Sequence, residues 1–172
     1  MFKIQISNPI SLSVHTTESM NLEDAIELVF PLETEFLILI WNNIFIPLTY
    51  KYDISLMVLD FIKIINFLRD NNKSELEIFW PSSTFVSIWK IKRYEKVIRI
   101  NSKWTAVNGK VENLLNSLNE NEIQSSEFEE EIMKLIIFIN SALIKSGMEL
   151  NNIVGYENLV GCLNFENKRR YL

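Results

Sequence analysis

Residues 53–70, DISLMVLDFIKIINFLRD, decide the fold. Ile54, Met57, Val58, Phe61, Ile62, Ile65 and Leu68 recur at three- and four-residue intervals, and Leu56, Leu59, Ile64 and Phe67 widen the stripe. That is an amphipathic helix with a broad apolar face. Asp53 is its expected N-cap. Ser55, Asp60, Lys63, Asn66 and Arg69 leave only a thin polar side. A helix this apolar must lie against a sheet.

The sheet follows it. Residues 75–80, 84–92 and 96–105 alternate apolar and polar residues as a three-strand meander. A turn at Tyr94-Glu95 sets Ile91 opposite Ile98, Trp89 opposite Ile100 and Phe85 opposite Trp104. A loop over Pro81–Thr84 sets Trp80 opposite Phe85 and Leu76 opposite Trp89. All of these fall on one face, whereas a slip of one residue scatters them. This aromatic face is expected to pack on the 53–70 helix.

Upstream, Phe2, Ile4 and Ile6, then Ile10, Leu12 and Val14, alternate with polar residues around Asn8-Pro9, which predicts an opening hairpin. Asn21 caps a short helix that stops near Pro31. Residues 35–41 (EFLILIW) are apolar on both alternating sets, a central strand. Asn42-Asn43 turns the chain into residues 44–50, where Pro47 makes an edge or bulged strand. Downstream, Asn108-Gly109 is a turn and Val111, Leu114, Leu115 and Leu118 suggest a short helix. Ser126 and Glu129 form a capping box opening a long helix to about Ser146, stopped by Gly147. Residues 159–165 are a candidate last strand. The whole reads as a single α+β domain over residues 1–172. Mainly antiparallel sheet (hairpins plus the meander) packs against two long helices, with a frayed tail at 166–172.

The formal net charge is −5, without the basic excess of a nucleic-acid binder. One cysteine forbids an internal disulfide and suits a reducing cytoplasm. No signal peptide and no run long enough to span a membrane are evident, which predicts a cytoplasmic protein without membrane contact. The four glycines stand singly, so no phosphate loop is present and no cofactor is expected. A single histidine excludes a multi-histidine metal site. His15 reads as a surface side chain rather than a catalytic base, and Cys162 as a buried thiol rather than a nucleophile. No catalytic residue is expected.

Two surfaces remain as partner-binding candidates. Glu127, Glu130 and Glu131, with Lys134, share an outward helix face. The bland reading is a solvated helix start that complements the helix dipole, and the sharper one is an acidic patch for a basic partner, extended by Glu112, Glu120 and Glu122. The back of the meander carries Lys90, Lys92, Arg99 and Lys103 beside Phe79, Val86 and Ile88. The expected register sets Glu75 opposite Lys90, and Lys90 opposite Arg99. The bland reading is a wet face with weak ion pairs, and the sharper one is an interface whose apolar centre needs covering.

WNNIFIPLTYKYDISLMVLDFIKIINFL (41–68) and SELEIFWPSSTFVSIWKIK (74–92) resemble the small cytoplasmic immunity proteins of bacterial polymorphic-toxin systems, including contact-dependent growth inhibition. The resemblance implies a non-enzymatic protein that binds a cognate toxin domain and blocks its active site or substrate path. The competing expectation is a small-ligand or regulatory binding module with its pocket between the sheet and the long helices. An enzyme would need two carboxylates converging in a cleft, which the spacing does not suggest.

Overall fold

The computed structural model describes residues 1–169, with side chains through Asn164. In chain order the elements are β1 (Phe2–Gln5), β2 (Met20–Asn21), α1 (Leu22–Val29), β3 (Phe36–Trp41) and β4 (Ile44–Thr49). A wide helical turn at Tyr50–Ile54 then leads into α2 (Ser55–Arg69). The meander is β5 (Glu75–Ser82), β6 (Phe85–Tyr94) and β7 (Val97–Val107). After it come α3 (Glu112–Ser117), β8 (Glu120–Gln124), α4 (Ser125–Ser146), β9 (Ile153–Val154) and α5 (Tyr156–Arg169). Two antiparallel sheets, β1-β3-β4 and β5-β6-β7-β8, carry the architecture, and β2 and β9 add a short parallel pair. This is the expected α+β class. No helix of the described residues is long and apolar enough to cross a membrane.

β3 is central because both its alternating sets are apolar and both its edges are paired. Asn42 and Asn43 take φ of +46° and +68°, the left-handed region a two-residue hairpin turn demands. Pro47 lies on the edge strand β4 as expected. The opening hairpin does not form. β1 pairs with β3, Phe2 opposite Trp41 and Ile4 opposite Leu39, which aligns their apolar sets on one buried face. The Ile10–Val14 run instead closes two helix ends: Leu12 N–H donates to Val29 O at 2.9 Å, and Val14 N–H to Ser146 O at 2.8 Å.

The meander keeps its predicted buried face but not its register. Its turns are Ser83-Thr84 and Glu95-Lys96, so Ile91 lies opposite Leu76 and Ile100, and Trp89 opposite Ile78 and Ser102. The expected pairings are wrong by two residues, and an even slip leaves every side chain on its own side. A bulge leaves Thr105 without a partner, after which Phe85 faces Val107. β8, unforeseen, adds a fourth strand through Ile98–Ile123 and Arg99–Glu122.

The aromatic face meets α2 along β5, where Trp80 lies 5.1 Å from Phe61 between ring centroids and, at the other end, the Arg93 guanidinium lies 5.0 Å over the Phe67 ring. Elsewhere it packs on the other sheet. Trp41 stands 5.2 Å from Trp89 and 5.3 Å from Trp104, and Phe2 lies 6.0 Å from Trp89 and 4.9 Å from Phe128 of α4. Such tilted and edge-on contacts suit the ring quadrupoles. α2 packs against α1, α4, α5 and β5, so it is the hub of the helical layer and the two sheets face each other beside it.

Three helix ends depart from expectation. Asp53 is not an N-cap. Thr49 is: its Oγ1 accepts from Asp53 N at 3.1 Å, and the buried Asp53 carboxylate accepts in return from Thr49 N at 2.7 Å and Thr49 Oγ1 at 2.8 Å. The Ser126–Glu129 capping box is absent; α4 begins after Gln124, and Glu129 bonds Arg69 instead. Residues 159–165 are helical within α5, with Leu159 and Cys162 buried at helical spacing. α5 runs on to Arg169, and residues 170–172 of the expected tail lie outside those described. Asn21 as cap of α1 and Gly147 as left-handed stop of α4 stand as expected.

Candidate interaction surface

The outer face of the four-stranded sheet is built in rows across the strands. One row runs Glu75, Lys92, Arg99, Glu122. The adjacent cations that strand pairing forces together are flanked by acids on both sides, Lys92 to Glu75 at 3.5 Å and Arg99 to Glu122 at 3.0 Å. The Glu122 hydrogen bond and charge push the Arg99 guanidinium still higher, and Arg99 also lies 5.2 Å over the Tyr94 ring. The next row runs Glu77, Lys90, Asn101, Glu120, with Lys90 to Glu77 at 3.5 Å and Asn101 Nδ2 donating to Glu120 at 3.3 Å. The expected Lys90–Arg99 and Glu75–Lys90 neighbours therefore do not occur; Lys92 faces Arg99 and Glu77 faces Lys90.

Beyond these charged rows the face turns apolar. Phe79 lies opposite Ile88, and Ile88 opposite Lys103; Pro81, Val86 and Ala106 form the last row. Phe79 is 58% exposed. Lys103 has no ion pair among the described residues. Five sequence-predicted residues thus share one surface, but Lys90 and Arg99 are already paired, so the apolar end and Lys103 are what it offers a partner.

The acidic helix face is smaller than expected. Glu131 turns toward the β1 edge, where it accepts from Ile4 N at 2.9 Å and from Lys134 at 2.8 Å. Lys134, held protonated first by the Glu131 hydrogen bond, also reaches Glu130 at 3.4 Å. Glu127 and Glu130 stay exposed. Glu120 and Glu122 belong to the sheet face, and Glu112 accepts from Val107 N at 2.7 Å.

Two polar constellations escaped sequence reasoning. Arg69 Nε donates to Glu129 at 2.6 Å with both side chains largely buried. Asp53 accepts from Ser82 and Thr84 as well as Thr49, fixing the β5–β6 turn to the start of α2. Every donor around Asp53 is a protein group, and the arrangement is a brace. His15 is exposed, Cys162 is 1% exposed with burial raising its thiol pKa, and no three described His, Cys, Asp or Glu side chains gather as a metal site. Compared with protein-family profiles, curated proteins and solved structures, the chain finds no match.

Proposed function

We propose that this chain is an immunity protein that binds a cognate bacterial toxin domain through the outer face of its four-stranded sheet and blocks the toxin's active site or substrate path. The observation carrying this reading is the exposed Phe79, opposite Ile88 and in one row with Lys103, itself unpaired among the described residues, next to rows of charges that are already paired. An exposed aromatic side chain beside an apolar neighbour is the usual anchor of a binding hot spot. The resemblance of residues 41–92 to immunity proteins supplies the partner class, and cytoplasmic residence belongs to the same proposal.

A small-ligand module is the less favoured reading. The space between sheet and helices that would hold its pocket is filled where Trp80, Phe61, Trp41 and Phe128 meet their neighbours.

The test is co-expression with the variable C-terminal domain of a large secreted protein encoded beside this gene, read as growth. The native chain should restore growth. Phe79→Ala should cost about 2 kcal/mol of affinity, about thirtyfold. Reversing Glu127 and Glu130 to Lys should leave affinity unchanged; if that variant alone fails to protect, the acidic helix face is the interface.

A further inference from the structure

β5 is an edge strand with an open hydrogen-bonding side. The two-residue turn makes Ser82 and Phe85 the closing bonded pair, so Ser82, Trp80, Ile78 and Leu76 bond β6. Arg93 N donating to Ser74 O at 2.8 Å continues that alternation. The backbone groups of Glu75, Glu77 and Phe79 therefore point away from the sheet. No other hydrogen bond reaches them among the described residues. Pro81, at the next outward position, has no N–H to leave unpaired. The other edges are treated differently: Ile4 N on β1 is taken by Glu131, Asn42 Nδ2 bonds Glu120 O on β8, and Pro47 interrupts β4.

We infer that β5 is a docking edge for an extended, basic segment of a partner protein, added antiparallel as a fifth strand of this sheet. Charge sets the partner's chemistry. Residues facing Glu75 and Glu77 would stand on the outer face beside two acids that are 71% and 62% exposed and hold Lys92 and Lys90 at 3.5 Å on their β6 side only, so a cation on the open side completes an alternating row. A residue facing Phe79 would meet an exposed ring, which favours an aromatic. The intervening residues point inward beside the half-buried Leu76. On the outer face, a surface cavity of about 340 Å³ bordered by Glu75, Glu77, Lys90 and Lys92 leaves room for the long side chains of the two cations. Read along the added strand, the preferred pattern is aromatic, apolar, cation, apolar, cation. Main-chain bonds supply affinity and the alternate side chains supply selection. The net charge of −5 draws the same kind of segment. This inference does not rest on the immunity reading.

The probe is a short acetylated and amidated peptide with the core Tyr-Val-Lys-Val-Lys, titrated into the full chain and followed by amide NMR shifts. Shifts should concentrate on residues 74–80. N-methylation of the first Lys, which faces Glu77, should weaken binding about tenfold by removing a main-chain bond. Replacing both peptide Lys by Glu should abolish binding, and the double variant Glu75→Lys, Glu77→Lys should restore it for the acidic peptide. An absent shift at β5, a footprint elsewhere, or indifference to N-methylation overturns the inference. So does sedimentation showing that the chain alone dimerises through this edge, with dissociation on Phe79→Lys.

Discussion

Asp53 and Ser82 are hydrogen-bonded in the interior, 1% and 2% exposed, across 29 residues of chain. Thr84 donates to the same carboxylate oxygen, and Thr49 fills the other through its N–H and hydroxyl. A buried carboxylate is tolerated because four donors replace its water. The brace joins the helical layer to the tip of the meander, so both depend on one side chain.

Asp53→Ala should therefore destabilise the fold by about 2–3 kcal/mol, since it strands the buried Ser82 hydroxyl and removes the partner of the part-buried Thr49 and Thr84 donors at once. Asp53→Asn retains one acceptor oxygen and should cost less. Urea unfolding of both variants checks this. An alanine variant within 0.5 kcal/mol of the parent, roughly the scatter of a surface substitution, would remove the brace from the account.

Arg69 and Glu129 should behave as a coupled pair. Breaking a largely buried ion pair from one side leaves a charge without its partner, which costs about 3–5 kcal/mol, whereas replacing both with apolar groups is often near neutral. Glu129→Leu should be strongly destabilising, and Arg69→Met with Glu129→Leu should recover much of the loss. Arg69 also donates to Cys162 O at 2.7 Å, so recovery should be incomplete. A double-mutant cycle measures the coupling; additive losses would show that the pair is not energetically linked.

Acid should act on Glu112. The Val107 N–H bonded to its carboxylate holds its pKa below the ordinary 4.5. A depressed folded-state pKa contributes stability that is complete above the unfolded value and is lost as pH falls through the folded one. The stability difference between the native chain and Glu112→Gln should thus be constant near neutrality and shrink only below pH 4.5. Paired thermal unfolding across acid pH checks it, as does NMR titration of the side chain. A titration midpoint at or above 4.5 contradicts the Val107 contact.

Local pattern carried β1, β3, β4 and the three meander strands, the turns at Asn42-Asn43 and Asn108-Gly109, and the buried face of the meander, because each depends on neighbours a few residues apart; it wrongly made strands of residues 10–14 and 159–165. Register was lost by two residues since periodicity of two cannot see such a slip. β8 was missed because its alternation is carried by Asn121 and Ile123 amid charge, and Asn121 is buried for its bonds to Met1 rather than for apolarity. α5 was misread although Leu159, Cys162 and Leu163 stood at helical intervals. The candidate surface came through in part. Phe79, Ile88 and Lys103 fall together, whereas the partners of Lys90, Arg99 and Glu131 depended on register and on β1 meeting α4. Neither the Arg69–Glu129 pair nor the Asp53 brace has any local signal.

Three buried serines on the inner face of the meander give a last, internally controlled test. Ser82 bonds Asp53, and Ser102 donates to Asn119 O at 2.8 Å while accepting from Trp104 Nε1 at 2.7 Å. Ser87, 0% exposed and opposite both Trp80 and Trp104, has no hydrogen-bond partner among the described residues. A buried hydroxyl with a partner stabilises modestly, and one without costs its desolvation. The same chemical change should then have opposite signs in one sheet. Ser82→Ala and Ser102→Ala should each lose about 1–2 kcal/mol, while Ser87→Ala should gain about 1 kcal/mol. Urea midpoints of the three single variants decide it, provided the denaturant slopes agree. A loss at Ser87 equal to that at Ser102 would mean that a water bonds this hydroxyl between the sheets.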